Sequence, residues 1–203
     1  MDFNKDAHTD HISQGFNNEL EAIKSHLMTM GGLVEKQLSD GIEALVDGNT
    51  ELAERAQETD KQTNQWEITI DDLCTRIIAR RQPAASDLRM IVAISKATND
   101  LERIGDEASR IALHAQMLMK EGESPVGYAE TRHIGALIRE MLSSALTAFA
   151  RYDTDLAYEV VKKDKQVDEA YKSAMRALVT YMMEDPRSIS RSLNIIWVLR
   201  SLE

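Results

Sequence analysis

TELAERAQETDKQ, residues 50–62, returns as TDLAYEVVKKDKQ, residues 154–166. Thr, Leu, Ala, Asp, Lys and Gln coincide at a constant offset of 104. Each copy then runs to a proline, Pro83 and Pro186, and on to a Leu-Glu pair at 101–102 and 202–203. The offset falls slowly along the chain, as small length changes in loops require. Self-similarity over this distance identifies a tandem repeat, and the repeat unit sets the architecture.

Around these segments the apolar residues recur at spacings of three and four, the period of an amphipathic helix. Phe16, Leu20, Ile23, Leu27, Met30, Val34, Leu38, Gly41 and Leu45 form one seam, and Leu52, Ala56, Trp66, Ile70, Leu73 and Ile77 a second. Thr59 and Thr63 weaken the middle of the second seam. Leu88, Ile91, Ala97, Leu101, Ile104, Ala108, Ile111, Ala115 and Leu118 make a third, with Ser86 or Asp87 as the expected cap. Three more seams follow, the last opening near Ser188. Short connections at Asp47–Thr50, Gln82–Pro83, Tyr152–Thr154 and Asp185–Pro186 make neighbouring helices antiparallel. The expected fold is all-α: two homologous antiparallel three-helix bundles, covering 15–120 and 128–203, after a flexible tail at 1–14 and around a linker at 121–127. The second copy stops at Glu203 on its apolar pattern, with no glycine cap. The expectation is a second bundle truncated in its last helix, with a natural protein that continues in something like RIGD.

Composition bounds the function. Of 203 residues, 43% are apolar and 5% aromatic, which favours helices and leaves enough for real cores. A net charge of −10 disfavours a nucleic-acid backbone or an anionic membrane as the main partner, although an acidic protein can carry local basic patches. The single cysteine, Cys74, fits a reducing compartment and a buried structural thiol. No apolar h-region opens the chain, and no apolar run, that at 90–94 included, exceeds five residues. A cytoplasmic protein with no direct membrane insertion is expected.

The chemistry concentrates in DLERIGDEA, residues 100–108, where a mid-helix glycine lies between two acids four residues apart. Such a glycine costs about 1 kcal/mol relative to alanine, and like charges at that spacing a few tenths more. Glu102 and Asp106 each follow a seam residue and so flank the core. Asp60 and Asn64 stand the same way beside Thr59 and Thr63, Asp164 and Asp168 beside Lys163 and Val167, and Glu203 after Leu202. Carboxylates converging from neighbouring helices repel unless a cation joins them, and oxygen donors suit magnesium, calcium, manganese or oxidised iron. Gly105 would then admit a neighbouring helix or an ion's water shell. A solvated face, with Arg103 and Arg110 pairing to these acids, is the competing reading.

RRQPAASDLRMIVAISKATNDLERIGDEASRIA, residues 80–112, resembles the third-helix region of the PhoU family, and GFNNELEAIKSHLMTMGGLVEKQLSD, residues 15–40, resembles it too. The resemblance covers nearly the whole chain. It implies two tandem bundles and a cytoplasmic protein, often a homodimer. It also implies a negative regulator of the phosphate-starvation response, joining the ATPase subunit of the phosphate ABC transporter to a membrane sensor histidine kinase. No catalytic residues, nucleic acid or organic cofactor follow from it. The family's acidic motif holds iron, zinc or other metals in some members. It falls here on Glu102–Asp106 and Asp164–Asp168, so the candidate metal ligands are Asp60, Glu102, Asp106, Asp164, Asp168 and Glu203, with iron, zinc, manganese or magnesium as the ion. Asn64 departs from the acid at the equivalent position, Asp168.

Two alternatives remain: a ferritin-like di-metal carboxylate enzyme, and a metal-free helical scaffold. Glu130-Thr-Arg-His133 is the one E-x-x-H in the chain, and a di-iron bundle needs two. His114, two turns past Asp106, reads as a surface histidine, and the ten methionines read mostly as core filler.

Overall fold

The computed structural model describes the backbone of residues 5–122 and 128–203 and the side chains of 14–122 and 128–203. Six helices run in order: α1 (Lys5–Asp47), α2 (Thr50–Arg81), α3 (Ala85–Lys120), α4 (Tyr128–Arg151), α5 (Thr154–Glu184) and α6 (Ile189–Leu202), with a 3-10 turn at Pro186–Ser188. No strand occurs among the described residues.

Local chemistry sets the helix ends. Asn49 accepts hydrogen bonds from the backbone N–H groups of Glu51 and Leu52, and Asp153 accepts one from Leu156, so each repeat's second helix starts on a side-chain cap. Gln82 closes α2 in the left-handed region, ahead of Pro83. Asp185 and Pro186 end α5, and the 3-10 turn leads into α6. Two expected boundaries differ. The expected tail is already helical from Lys5, because nothing before Gly15 breaks a helix and one glycine does not stop it; residues 1–4 lie outside the described residues. Helix α3 begins at Ala85 without a side-chain cap, so Ser86 and Asp87 lie inside its first turn, where the Asp87 charge favours the helix dipole.

Helices α1, α2 and α3 close the first bundle around Ile23, Leu27, Met30, Val34, Ile70, Ile94, Ile111 and Leu118, all at most 1% exposed. Helices α4, α5 and α6 form the second, around Ile134, Val167, Ala174, Leu178, Ile195 and Leu199. The two are not strung apart. Helix α1 packs on α4 as well as on its own bundle, and α3 packs on α6. The α1–α4 joint follows the repeat. A Cβ on Gly31 would come within 2.6 Å of Leu146, and a Cβ on Gly135 within 2.7 Å of Ile42. Gly31 and Gly135 are repeat equivalents at the offset of 104, and so are Ile42 and Leu146. The joint is therefore a local two-fold: each helix offers a glycine notch and each fills the other's notch with a branched aliphatic.

Candidate metal centre

Helices α2 and α3 run antiparallel, and the Ser95 hydroxyl donates to Asp71 across them at 2.9 Å. That register sets Asp60 level with Asp106 and Asn64 level with Glu102. The pairs that the sequence placed beside two separate seams thus stand along one groove. Asp60 and Asp106 line a surface cavity of about 640 Å³ together with Glu58, Lys61 and Arg110.

Beneath them lies a residue that the sequence reading passed over. Gln37 of α1 is fully buried. Its Nε2 donates to Asp60 Oδ1 at 3.0 Å and to the Gly105 carbonyl at 2.9 Å. Its Oε1 accepts from the buried Thr63 hydroxyl at 3.4 Å, and that hydroxyl also reaches the Thr59 carbonyl at 3.3 Å. The threonines that weaken the α2 seam are thus the polar floor of the groove. Gly105 owes its place to this floor: a Cβ there would stand 3.1 Å from both Gln37 Oε1 and Thr63 Cγ2. Of the two roles the sequence allowed for the glycine, close approach of neighbouring helices is the one seen.

The electrostatics are those of acids held together. Burial pushes the Glu102 carboxyl above its ordinary range, and Asp106, Glu67 and Asp60 push it further, against a smaller opposing pull from Arg103. Asp106 is raised by burial and then by Asp60, with Arg110 opposing. Arg110 itself pairs with Glu107 on its own helix, so it offsets the groove's charge only in part. Among the described residues no ion pair reaches Asp60, Glu102 or Asp106. Glu67 is a further acid that the sequence reading omitted. It lies seven residues after Asp60, two turns along the same helix face, and that spacing was the available signal.

Asn64 Oδ1 is buried and has no hydrogen-bond partner. An orphaned oxygen acceptor beside unpaired carboxylates is a donor set that a hard cation fits. As the side chains stand, no three His, Cys, Asp or Glu residues among those described are gathered tightly enough to hold an ion, so binding would require rotamer changes.

The second set is arranged differently. Asp164 and Glu203, both exposed, line a cavity of about 560 Å³ between the bundles, where Asp100, Arg103, Glu107 and Arg200 also stand. Asp168 is paired with Lys172, one turn on, at 3.5 Å. His114 is not a surface residue. It is half-buried, with Nδ1 3.2 Å from Asn194 Oδ1 on α6, because α6 covers that side of α3. Glu130 and His133 stand at the start of α4; Glu130 is half-buried and His133 exposed. Burial, followed by the nearby Asp71 charge, pushes the Cys74 thiol up to about 11, as an inert core thiol requires.

The PhoU domain family matches residues 27–115 and 131–203, one match per bundle. The phosphate-specific transport system accessory protein PhoU homolog of Pseudomonas aeruginosa is 62% identical over 98% of this chain and 83% of its own length. The phosphate-specific transport system accessory protein PhoU of Escherichia coli is 46% identical over 95% of this chain and 80% of its own length. A crystal structure of PhoU from Pseudomonas aeruginosa superposes with a TM-score of 0.90 at 61% identity, covering 92% of this chain and 90% of that one. One of a phosphate transport system regulatory protein PhoU from Streptococcus pneumoniae gives 0.84 at 28% identity, covering 93% and 88%. With both bundles matched and the fold shared along their length, the chain belongs to the PhoU family.

Proposed function

We propose that this chain is a non-enzymatic regulatory adapter of phosphate uptake. It represses the phosphate-starvation response by joining the ATPase subunit of a phosphate transporter to a sensor histidine kinase, in the cytoplasm and as a homodimer. The observation that carries this reading is the identity, sustained over both bundles, to relatives named as accessory proteins of the phosphate-specific transport system. The architecture suits an adapter. Long helices, α2 and α5 above all, expose continuous faces, while the joint between the bundles holds those faces in fixed relation. No described helix is long and apolar enough to cross a membrane, so contact with a membrane kinase would be made from outside the span.

The acidic groove belongs to the same proposal. Asp60, Glu102 and Asp106, with the Asn64 amide oxygen, would hold a cation in the first bundle; Asp164, Asp168 and Glu203 would do so in the second. When bound, the ion would supply charge neutralisation to carboxylates that otherwise repel. Gln37 already restrains Asp60, and Gly105 keeps the helices close enough for α2 and α3 to contribute together.

Deleting the gene should raise alkaline phosphatase in phosphate-rich medium, and pull-down with the transporter ATPase and the kinase should recover both partners. Unchanged phosphatase in the deletion strain would refute the regulator reading. Elemental analysis of protein purified without chelators tests the metal separately. The expected result is bound metal, with added manganese or magnesium raising the melting temperature of the wild type but not of Asp60→Asn/Asp106→Asn. Protein with no metal and no thermal response would leave the scaffold reading.

A further inference from the structure

Gln37 spends both of its N–H donors inside the first bundle. The Gly105 carbonyl and the Asp60 carboxylate can only accept, so both Nε2 protons face them, and Oε1 is left for the Thr63 hydroxyl. A flipped amide would set oxygen against two acceptors, so the network fixes one orientation. Helix α1 is anchored close by, where Arg55 of α2 grips the buried Asp40 with two hydrogen bonds, at 2.7 and 2.5 Å. Gln37 therefore stands on a pinned helix, fully buried and out of reach of bulk solvent.

The two groups that it joins belong to different halves of the candidate metal centre. Asp60 is the acid of α2. The Gly105 carbonyl belongs to α3 and lies between Glu102 and Asp106 in sequence. One amide thus fixes the α2 acid against the backbone that carries both α3 acids. It occupies Oδ1 of Asp60 and leaves Oδ2 for the groove. Gly105 lets the amide in, since a Cβ there would stand 3.1 Å from Oε1. The second bundle lacks the whole arrangement: Met141, Ser144, Glu159 and Val167 take the positions of Gln37, Asp40, Arg55 and Thr63.

We propose that Gln37 is the positioning residue of the first metal centre, and that it sets the affinity of that centre for a divalent cation by tying Asp60 to the Gly105 peptide. This rests on the metal reading above and adds to it a residue that would not touch the ion. Carboxylates that repel one another turn apart when unrestrained, and gathering them opposes binding through lost conformational freedom and repulsion. A carboxylate already held by one oxygen avoids part of that penalty. Outer hydrogen-bond partners of metal ligands accordingly govern affinity by about 10–100-fold. The side-chain rotations that binding requires then fall to Glu102 and Asp106, which no ion pair among the described residues holds.

Manganese(II) binding to the chelator-stripped chain, read by electron paramagnetic resonance, tests the role. The class of sites that Asp60→Asn/Asp106→Asn removes should weaken by about 10–100-fold in Gln37→Met, with unchanged stoichiometry and a broadened signal from the bound ion. Gly105→Ala gains helix propensity but crowds the amide, and should weaken the same class. Thr63→Val controls for a merely structural role. It disturbs the same buried layer, leaves both Nε2 bonds in place, and should keep an affinity close to that of the wild type. Circular dichroism checks that each variant is folded. Wild-type affinity in Gln37→Met, or in Gly105→Ala should the first variant not fold, would overturn the role of Gln37 and leave the metal reading intact. An equal loss in Thr63→Val would also overturn it, because any damage to the layer would then suffice. Absence of manganese binding by the wild type would overturn both.

Discussion

In the first bundle Gln37 and Thr63 lie under the acidic groove; in the second the repeat puts Met141 and Val167 at those positions. One layer therefore ties Asp60 to the Gly105 backbone through hydrogen bonds, while its counterpart is apolar and leaves Asp164 without such a restraint. Along α4 and α5, Ala148, Phe149, Ala157, Val160 and Val161 border an open apolar groove of about 460 Å³, where the first bundle is closed by Ala108, Ile111, Ala112 and Ala115 of α3. Polarity at one buried layer decides whether an acid is held or left to move.

The largest test of this contrast is a pair of truncations. Ile111→Ala, in the covered part of the first bundle, should cost about 2–5 kcal/mol by chemical denaturation, whereas Val160→Ala, bordering the open groove, should cost less than about 1 kcal/mol. Equal losses would mean that the groove of the second bundle is closed in solution. The joint comes next. Gly135→Ala and Gly31→Ala should each lose about 1–3 kcal/mol to overpacking, offset by up to about 1 kcal/mol of helix propensity. Ile42→Ala should rescue the first and Leu146→Ala the second. Additive double mutants would argue against the notch-and-knob pairing.

Exchanging the buried layers sharpens the comparison further. Gln37→Met should destabilise by about 1–3 kcal/mol, because Asp60 and the Gly105 carbonyl lose the buried donor they share. Met141→Gln, half-buried in the cavity that Asp164 also lines but facing Val167 where Thr63 stands in the first bundle, should change stability by less than about 1 kcal/mol, so the two swaps are not equivalent.

The smallest effect concerns pH. Glu102 and Asp106 have carboxyl groups raised above their ordinary values, so the folded state binds their protons more tightly than the unfolded chain does. That contribution is complete below the unfolded carboxylate range, near pH 4, and is lost as pH rises through the raised folded values. In metal-free protein Glu102→Gln or Asp106→Asn should therefore raise the melting temperature at neutral pH by about one to two degrees, with the gain vanishing near pH 4. A variant that melts lower at neutral pH would show that these carboxylates stabilise the groove.

The tandem repeat, the six seams and most helix ends were legible because they are local: period, caps and prolines act within a few residues. The acids beside the seams were legible for the same reason. Gln37 and His114 were not, since each takes its role from a residue on another helix: Asp60 and Gly105, and Asn194. The glycines of the joint were visible as a pair at the repeat offset, but nothing local said that they faced each other's aliphatics.

By itself, then, the sequence determined that two copies of a three-helix unit would form, where most of their helices would begin and end, and that acidic pairs would flank their seams. Hydrogen bonding along a helix and the burial of one apolar stripe depend on neighbours three or four residues away, and the chain carries that information directly. Tertiary structure alone decided the register between helices. That register brought Asp60 level with Asp106, put Gln37 beneath them, and closed α1 on α4 through two glycines. It is set by how side chains from distant segments fill one another's space, and no single helix contains that interaction.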